Sequence, residues 1–337
     1  MISISNVSIK GIATTIPSSK VTNSDLGALY GEKEITKLIS SVGVNTRRVA
    51  DTNTTSADLC YDSAVNLINE LEWEPESIGA IIFVSQTGEY QLPATACILQ
   101  NRLGLPVSSI AYDVNLGCSG YTYGLFLASS LVQTGIKRVL LLVGDTISKL
   151  VKPGDRSTEL LFGDAGTATG LEFETGPVIH FELGSDGSGA EHIIARNPQP
   201  QVNSIRGLNC AFLEMNGGEV FTFTLKRVPL LVNGFLEALE LTSKDIDSCV
   251  YHQANHFMIK HLSKKSKFEP SQVPVSITEF GNTSCASIPL TLCTQNLISR
   301  NRMLLVGFGV GLSWGAVMVD LSTTKLLPVS EIKINEQ

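Results

Sequence analysis

Long apolar runs and an excess of basic residues are both missing from this sequence of 337 residues. Its most apolar segments, at 80–84 and 139–144, have the length of strands, so we predict no membrane-spanning helix. The chain carries 25 basic and 32 acidic side chains, and a net charge of -7 disfavours nucleic acid as a partner. Its first residues form a strand-like pattern without a basic stretch before an apolar core. We therefore expect no secretory signal, no membrane partner and a cytoplasmic location.

Metal-binding patterns are also missing, although the chain has seven cysteines. No pair has the C-x-x-C spacing, and no Cys/His cluster has zinc spacing, so the sequence predicts no metal site. The odd count and the size of the chain argue against a disulfide framework. We interpret all but one as small, inert buried side chains. The seven are Cys60, Cys97, Cys118, Cys210, Cys249, Cys285 and Cys293.

Hydrophobic residues make up 43% of the chain and charged residues only 17%, which is enough apolar surface for a large core. Short β-rich runs alternate with longer helical patterns, so the fold class is α/β. Strands are predicted at Ile2–Ala13, Ala80–Ser85, Ile110–Val114, Arg138–Val143, Gly166–Phe173, Val178–Leu183, Ser248–Tyr251, Val273–Ile277, Met303–Val306 and Gly315–Leu321. Helices are predicted at Ser56–Leu71, Ala94–Leu103, Ser119–Thr134, Val220–Leu239, Asn255–Ser263 and Ala286–Ile298.

An internal repeat divides the chain into two halves, at about 1–170 and 171–337. Each half contains Asn-x-x-Cys, then an apolar helix, a polar turn and a Leu/Val strand that ends in glycine. The motif begins at Asn115 in the first half and at Asn282 in the second. Matched positions of this kind favour duplication over a chance similarity of two α/β units.

Cys118 is the strongest candidate for a nucleophile. It follows a predicted strand through a small-residue turn and precedes a long apolar helix, whose positive N-terminal end favours a thiolate. Turns of this kind expose one reactive side chain at the edge of a sheet. Cys285 occupies the same place in the second repeat, so the repeat by itself does not choose between the two cysteines.

His252 and Asn282 are candidates for polar side chains that assist a nucleophile. His252 ends a predicted strand and could act as a base or as a donor to an oxyanion, although a lone histidine is more often a satisfied core residue. Asn282 lies in a glycine-containing turn before a helix. Its amide could donate to an oxyanion or simply cap the helix.

Three further features have both an ordinary structural interpretation and a functional one. Arg156, in a polar loop, could hold a phosphate or stack on an aromatic ring, or be solvated. The glycine-rich segment 307–315 lacks the residues of a phosphate-binding loop, but its backbone could serve an oxyanion. Lys260, Lys264 and Lys265 form a basic patch that could recruit an acidic partner or merely face solvent.

Taken together, five motifs resemble those of β-ketoacyl-acyl-carrier-protein synthase III, a branch of the thiolase superfamily. The resemblance covers essentially the whole chain, and the combination is far more specific than any one motif. The motifs are NLGCSG at 115–120, FGDAGTA at 162–168, HQAN at 252–255, FGNTS at 280–284 and GFGVGLSWG at 307–315.

The resemblance implies a thiolase-like fold of αβαβα layers, usually in a homodimer. It also implies a Cys118–His252–Asn282 catalytic set, with the backbone N–H groups of Cys118 and Val310 as oxyanion donors. The implied reaction is a decarboxylative Claisen condensation. An acyl group on Cys118 reacts with malonyl-acyl-carrier protein to give a 3-oxoacyl-acyl-carrier protein, without a metal or redox cofactor.

Secondary sites follow from the same resemblance. Arg156 matches the arginine at the CoA adenine, and Asn255 matches a residue of the pantetheine channel. The acyl pocket would include Phe221, Phe308 and, from the partner subunit, Leu92. The patch of Lys260, Lys264 and Lys265 lies where the family docks its carrier protein.

The sequence departs from the family at three places. The usual tryptophan is missing near Lys37, the usual basic residue is Ser41, and Val310 replaces a glycine. These departures favour a specialised member that uses a different starter, or a carrier-bound acyl group in place of acetyl-CoA. The main alternative is an acyltransferase that moves the acyl group from Cys118 to oxygen or nitrogen, in a secondary or surface-polysaccharide pathway.

Other classes fit the sequence less well. A hydroxymethylglutaryl-CoA-synthase-like enzyme would need an acidic residue beside Cys118, and a thiolase would need a second cysteine in the late glycine-rich turn. A papain-like hydrolase would need its own pattern around the cysteine. A non-enzymatic subunit would have no reason to keep the three catalytic residues together.

Overall fold

The computed structural model describes residues 1–196, 212–295, 297 and 299–332. Within this part of the chain, a ten-stranded mixed sheet and the helices packed on it form the body of the molecule. The strands are β1 (Ile2–Ile16), β2 (Lys20–Thr22), β3 (Thr46–Arg48), β4 (Ala80–Val84), β5 (Ile110–Val114), β6 (Arg138–Asp145), β7 (Ala165–Ser185), β8 (Ile193–Ala195), β9 (Leu213–Met215), β10 (Ser248–Tyr251), β11 (Met303–Gly309), β12 (Ser313–Val319), β13 (Lys325–Leu326) and β14 (Ser330–Glu331).

The helices follow the apolar periodicities that predicted most of them. Their boundaries differ from the predicted ones by only a few residues, apart from the early end of the last. They are α1 (Gly27–Tyr30), α2 (Glu32–Val42), α3 (Ser56–Glu70), α4 (Thr95–Arg102), α5 (Gly120–Gln133), α6 (Gly217–Ala238), α7 (His256–Lys265), α8 (Ile277–Phe280) and α9 (Ser287–Thr294).

The strand β7 joins the two halves of the sheet. Its first part pairs with β6 and its last part with β12, while β1 runs antiparallel along both parts. The two strands predicted at Gly166–Phe173 and Val178–Leu183 are therefore one continuous strand. The predicted division at residue 170 lies inside β7, and the assignment of two domains stays a prediction.

Helices and sheet stack in the five αβαβα layers that were predicted. One apolar cluster packs α3 and α4 on the outer face of β4 and β6. A second fills the centre, where α5 and α9 lie between the two halves of the sheet. A third packs α6 and α7 on the outer face of β10 and β11. Because α5 and α9 are both buried at the centre, each is rich in small and apolar residues.

The predicted repeat is visible in the topology. In the first half, α5 leads into β6, which pairs in parallel with β4. In the second half, α9 leads into β11, which pairs in parallel with β10. Cys118 and Cys285 each precede the central helix of their half. The same strand–helix–strand unit is therefore used twice.

One predicted strand is wrong. Residues 273–276 form a loop and Ile277 begins α8, because the side chain of Gln253 accepts hydrogen bonds from the backbone N–H groups of Ser276 and Ile277 at 3.0 and 3.3 Å. Pro274 has no N–H to offer a ladder. The sequence also did not predict α2, which is mostly exposed and buries only Ile35.

No helix in the described ranges combines the length and the apolarity needed to cross a membrane.

Central-layer packing predicts a large effect for Leu141→Ala. Leu141 is fully buried in β6 and its side chain lies against Gly124 of α5. Truncation should leave a cavity and lower the free energy of unfolding by about 2–5 kcal/mol in a urea titration. Leu230→Ala is the matched control, because Leu230 is 68% exposed. Equal losses in both variants would contradict this description of the core.

Candidate active site

A cavity of about 320 Å³ brings the predicted catalytic residues together. Cys118, His252 and Asn282 all line it, although they come from distant parts of the chain. The rest of its wall is largely apolar and includes Ile147, Leu161, Phe162, Met215, Val220 and Met258. The cavity therefore offers one reactive corner and a long apolar surface, which suits a flexible organic thioester.

The thiol of Cys118 rests in its protonated form. Burial raises its pKa to about 12, and this outweighs the lowering by hydrogen bonds from the backbone of Val310 and the side chain of Ser284. Desolvation therefore outweighs the groups that favour a thiolate in the free protein. Removal of water disfavours the charged form of the thiol, and here this effect is larger than that of the hydrogen bonds.

The glycine-rich turn after β11 presses directly on the nucleophile. A Cβ atom on Gly309 would lie 2.6 Å from Cys118 Cβ and 2.9 Å from Cys118 Sγ, so only glycine fits. The next residue, Val310, directs its backbone to the thiol. Its carbonyl accepts a hydrogen bond of 2.6 Å from Ser313 Oγ, and Ser313 Oγ lies 2.7 Å from Ser119 Oγ. The two halves are thus tied together at the residue after Cys118.

His252 lies at the end of β10 with its ring almost fully buried. Burial lowers the pKa of the imidazole to about 3, so the ring is neutral. Ser287 Oγ lies 2.7 Å from Nδ1 and also accepts the backbone N–H of Gln253 at 3.3 Å. We assign the hydroxyl of Ser287 as donor to Nδ1 and as acceptor from Gln253, which uses its one proton and one lone pair. This assignment leaves the imidazole proton on Nε2, where it can be donated. The edge of Phe308 packs on the same ring.

Asn282 presents an amide whose orientation is set by its neighbours. Its Oδ1 accepts the backbone N–H of Ser284 at 2.9 Å, which turns the NH₂ group away from this bond. Its backbone N–H donates to Leu161 O at 2.8 Å, and its carbonyl accepts from Gly163 N at 3.1 Å. The FGDAGTA segment therefore fixes the position of Asn282. This residue does more than cap a helix, because its backbone is also bonded to that segment.

A buried pair that the sequence did not single out supports this segment. Arg47 is 6% exposed and donates to Asn23 Oδ1 at 2.9 Å and to the carbonyl of Phe162 at 3.0 Å. The amide of Asn23 in turn donates to the carbonyls of Val44 and Leu160. These side chains hold β3 against the strand-like bridge that carries Asn282.

Three of the secondary residues named by the resemblance lie at the cavity. Phe221, Phe308 and Asn255 all line the cavity. Asn255 also caps α7, since its side chain accepts the backbone N–H of Met258 at 2.8 Å. Phe221 stacks on the exposed ring of Phe257.

Two of them do not line it. Leu92 is 80% exposed, in the loop between β4 and α4. Arg156 is also exposed, and its guanidinium lies over the ring of Tyr30, 5.1 Å from the centroid. The hydroxyl of Tyr30 donates to Glu159. An aromatic partner for Arg156 is therefore present in the chain itself, seven residues before the position where the sequence lacks tryptophan.

The basic patch is exposed on α7. Lys260, Lys264 and Lys265 all face solvent, and within the described residues none of them forms an ion pair. The same helix begins at the cavity, with Asn255 as its cap and Met258 in its first turn. The patch therefore lies on the same short helix that begins at the cavity.

The structure distinguishes Cys118 from the other cysteines. Cys118 lines the cavity, whereas Cys285 is fully buried and donates its S–H to Asp145 Oδ2 at 3.2 Å. Cys97 is exposed, so the interpretation of six buried cysteines is wrong at that position. Cys210 lies outside the described residues. Nowhere in those ranges do three or more His, Cys, Asp or Glu side chains form a group that could hold a metal ion.

Comparisons with known proteins lead to the same family as the motifs. The family model described as 3-oxoacyl-[acyl-carrier-protein] synthase III matches residues 112–187, and the model of its C-terminal part matches residues 236–321. A β-ketoacyl-[acyl-carrier-protein] synthase III of Natranaerobius thermophilus is 34% identical and covers 94% of this chain and 99% of its own. The chain belongs to the synthase III family.

Solved structures agree with this membership. The crystal structure of a 3-oxoacyl-(acyl-carrier protein) synthase from Burkholderia xenovorans LB400 has a TM-score of 0.93 and 42% identity, and the match covers 98% of both chains. The predicted thiolase-like α/β fold is therefore confirmed, as is the resemblance that the five motifs carried. As a member of the synthase III family, the chain is an enzyme of the acyltransferase class.

The raised thiol pKa predicts slow alkylation of Cys118 at neutral pH. Its rate constant with iodoacetamide should keep rising from pH 7 to pH 10.5, because the thiolate fraction grows tenfold per pH unit below the pKa of about 12. Peptide mass spectrometry measures the rate, with the exposed thiol of Cys97 in the same sample as the reference and Cys118→Ala to verify the peptide. A plateau below pH 8 would show that the thiol is activated at rest.

Proposed function

We propose that this protein condenses an acyl group held on Cys118 with malonyl-acyl-carrier protein, with loss of CO₂, to give a 3-oxoacyl-acyl-carrier protein. The observation that carries the proposal is the meeting of Cys118, His252 and Asn282 in one largely apolar cavity. Family membership supports the same reaction. The transfer of the acyl group to oxygen or nitrogen is not favoured by these comparisons.

The first step is acylation of Cys118. Its sulfur attacks the thioester carbonyl, and the carbonyl oxygen develops negative charge against the backbone N–H groups of Cys118 and Val310. The bond between the carbonyl carbon and the donor sulfur then breaks, and the thiol proton leaves with the departing thiolate. Since a neutral thiol is exchanged for another neutral thiol, no charge is left in the buried site.

The second step is decarboxylation of the malonyl group. The bond to CO₂ breaks, and its electron pair moves towards the thioester carbonyl, whose oxygen becomes an enolate. The Asn282 amide and the Nε2–H of His252 are two neutral donors for this oxygen. A neutral imidazole suits the role, because its pKa of about 3 keeps it from taking a proton from the thiol.

The third step forms the carbon–carbon bond. The enolate carbon attacks the carbonyl carbon of the acyl group on Cys118. The bond between this carbonyl carbon and the Cys118 sulfur then breaks. The sulfur leaves as a thiolate and takes one proton from solvent, which restores the resting thiol. Loss of CO₂ supplies the carbanion, so the reaction as proposed requires no metal, no redox cofactor and no general base for the malonyl group.

The partners follow from the site and its surroundings. Acyl-carrier protein delivers the malonyl group and docks at Lys260, Lys264 and Lys265, close to the mouth beside Asn255. The starter arrives as acyl-CoA, with Arg156 and Tyr30 at its nucleotide, or on a carrier protein. A homodimer in the cytoplasm would cover the exposed Leu92 and direct it to the acyl pocket of the partner subunit.

Acylation and condensation are separable by mutation. Intact-protein mass spectrometry should show an acyl mass on wild type and on Asn282→Ala after incubation with an acyl-thioester panel, and none on Cys118→Ala. Malonyl-carrier protein should discharge the acyl mass from wild type and form the 3-oxoacyl product. Discharge from Asn282→Ala should be slower by about 100-fold or more, because one enolate donor is lost.

The discharge experiment decides between the two functions. An acyl mass that malonyl-carrier protein leaves in place on wild type would mean that the protein is an acyltransferase with another acceptor. Acylation of Cys118→Ala would mean that the nucleophile is another residue. Thermal melting of each variant verifies that it is folded.

Carrier-protein docking predicts a change in KM. The double variant Lys264→Glu/Lys265→Glu should raise KM for malonyl-carrier protein by about 10-fold at low salt and leave kcat nearly unchanged, because surface charges act mainly on association. The difference should shrink at 0.5 M salt. Lys137→Glu is the matched control, since Lys137 is exposed at the opposite end of α5 from Cys118. An equal effect of Lys137→Glu would contradict a docking site on α7.

A further inference from the structure

Gln86 is a polar side chain of the cavity to which the proposed reaction assigns no role. Gln86, in the loop after β4, lines the cavity together with Cys118. Its carboxamide forms no hydrogen bond with any described residue; only its backbone N–H is engaged. A side-chain amide has two donors and an acceptor, all of which require partners when water is displaced.

The turn that carries Gln86 is held by a buried carboxylate. Asp145, at the end of β6, is fully buried, and its Oδ1 accepts from Ser85 Oγ at 2.9 Å, from Gln86 N at 2.7 Å and from Thr87 Oγ1 at 3.0 Å. Its Oδ2 accepts from the thiol of Cys285. Burial of a carboxylate is unfavourable unless such bonds satisfy it. With all of them formed, the backbone of Gln86 is fixed in place.

The carboxamide lies next to the reactive cysteine. A Cβ atom built on Gly117, the residue before Cys118, would lie 2.3 Å from Gln86 Oε1 and 2.6 Å from Val310 Cγ1. The amide is therefore packed against the turn that holds the nucleophile, beside the residue whose backbone meets the thiol. Gln86 and Cys118 line the same cavity, so an acyl group carried on Cys118 would share that cavity with the amide.

The lining also limits the charge of that acyl group. None of the described residues that line the cavity is Asp, Glu, Lys or Arg, so a carboxylate or an ammonium group would have no partner of opposite charge. The Asp145 carboxylate behind Gln86 adds repulsion against an anion. A neutral oxygen, in contrast, can exchange hydrogen bonds with the amide.

We infer that Gln86 selects starter acyl groups that carry a neutral hydrogen-bonding oxygen, a hydroxyl or a keto group, within their first few carbons. The inference rests on the proposed acylation of Cys118. A plain alkyl chain would displace water from the amide and leave it unpaired, whereas a hydroxylated chain would pair with it. Sites built to bond a substrate hydroxyl reject the analogue that lacks it.

The test compares butyryl, 2-hydroxybutyryl and 3-hydroxybutyryl thioesters of carrier protein and of CoA. Rate constants for acylation of Cys118 are read by intact-protein mass spectrometry. Wild type should accept at least one hydroxybutyryl group about 10-fold faster than butyryl, and Gln86→Leu should reduce this ratio about 10-fold or more. Gln133→Leu, an exposed glutamine at the far end of α5, should keep the wild-type ratio.

Each outcome bears on a different statement. The inference would be overturned if wild type preferred butyryl over both hydroxybutyryl groups, or if Gln86→Leu left the ratio unchanged. The proposed function would still stand in that case, provided that Cys118 is acylated and malonyl-carrier protein discharges the acyl group. Failure of every thioester to acylate Cys118 would overturn both. If Gln86→Leu melts well below wild type, Gln86→Met provides the same comparison with an unbranched side chain.

Discussion

The pairing of both halves of the sheet with the single strand β7 is the constraint on which the site depends. Cys118 belongs to the first half, whereas His252, Asn282 and the turn at Gly309 belong to the second. Because β7 is hydrogen-bonded to β6 on one side of the junction and to β12 on the other, the halves cannot slide without breaking a ladder. The contact of Gly309 with Cys118 leaves room for no Cβ atom, so the reacting groups require that rigidity.

The site is built on neutral groups. Burial that would be costly for a thiolate–imidazolium pair is tolerated because the pKa values of Cys118 and His252 move in opposite directions, to about 12 and about 3. Charge then arises only in the course of the proposed reaction, on the acylation intermediate, on the enolate and on the departing Cys118 sulfur. Fixed donors in a dry cavity stabilise such charge strongly, since no solvent must reorganise when it forms.

Local sequence patterns predicted most of the fold, because strand, helix and turn signals are short-range. The motifs that carry the family resemblance surround Cys118, His252 and Asn282, which the structure brings into one cavity. The supporting residues were not predicted. Ser287 lies 35 residues from the ring it contacts, Asp145 lies 59 from Gln86, and Arg47 lies 115 from Phe162. Such partners become visible only when the chain is folded. The error at Val273–Ile277 has the same origin, since the side chain of Gln253 takes the hydrogen bonds that a strand would have used.

The protonated state of Cys118 has a consequence for survival under oxidative stress. Peroxide reacts with thiolates, and the ladder from sulfenic to sulfonic acid begins only where a thiolate is present. A nucleophile that rests as a protonated thiol reacts slowly with peroxide between turnovers. In the proposed reaction the thiolate appears only when the carbon–carbon bond has formed, and it is then protonated again. The same burial that slows attack by foreign reagents therefore preserves the enzyme for its own substrate.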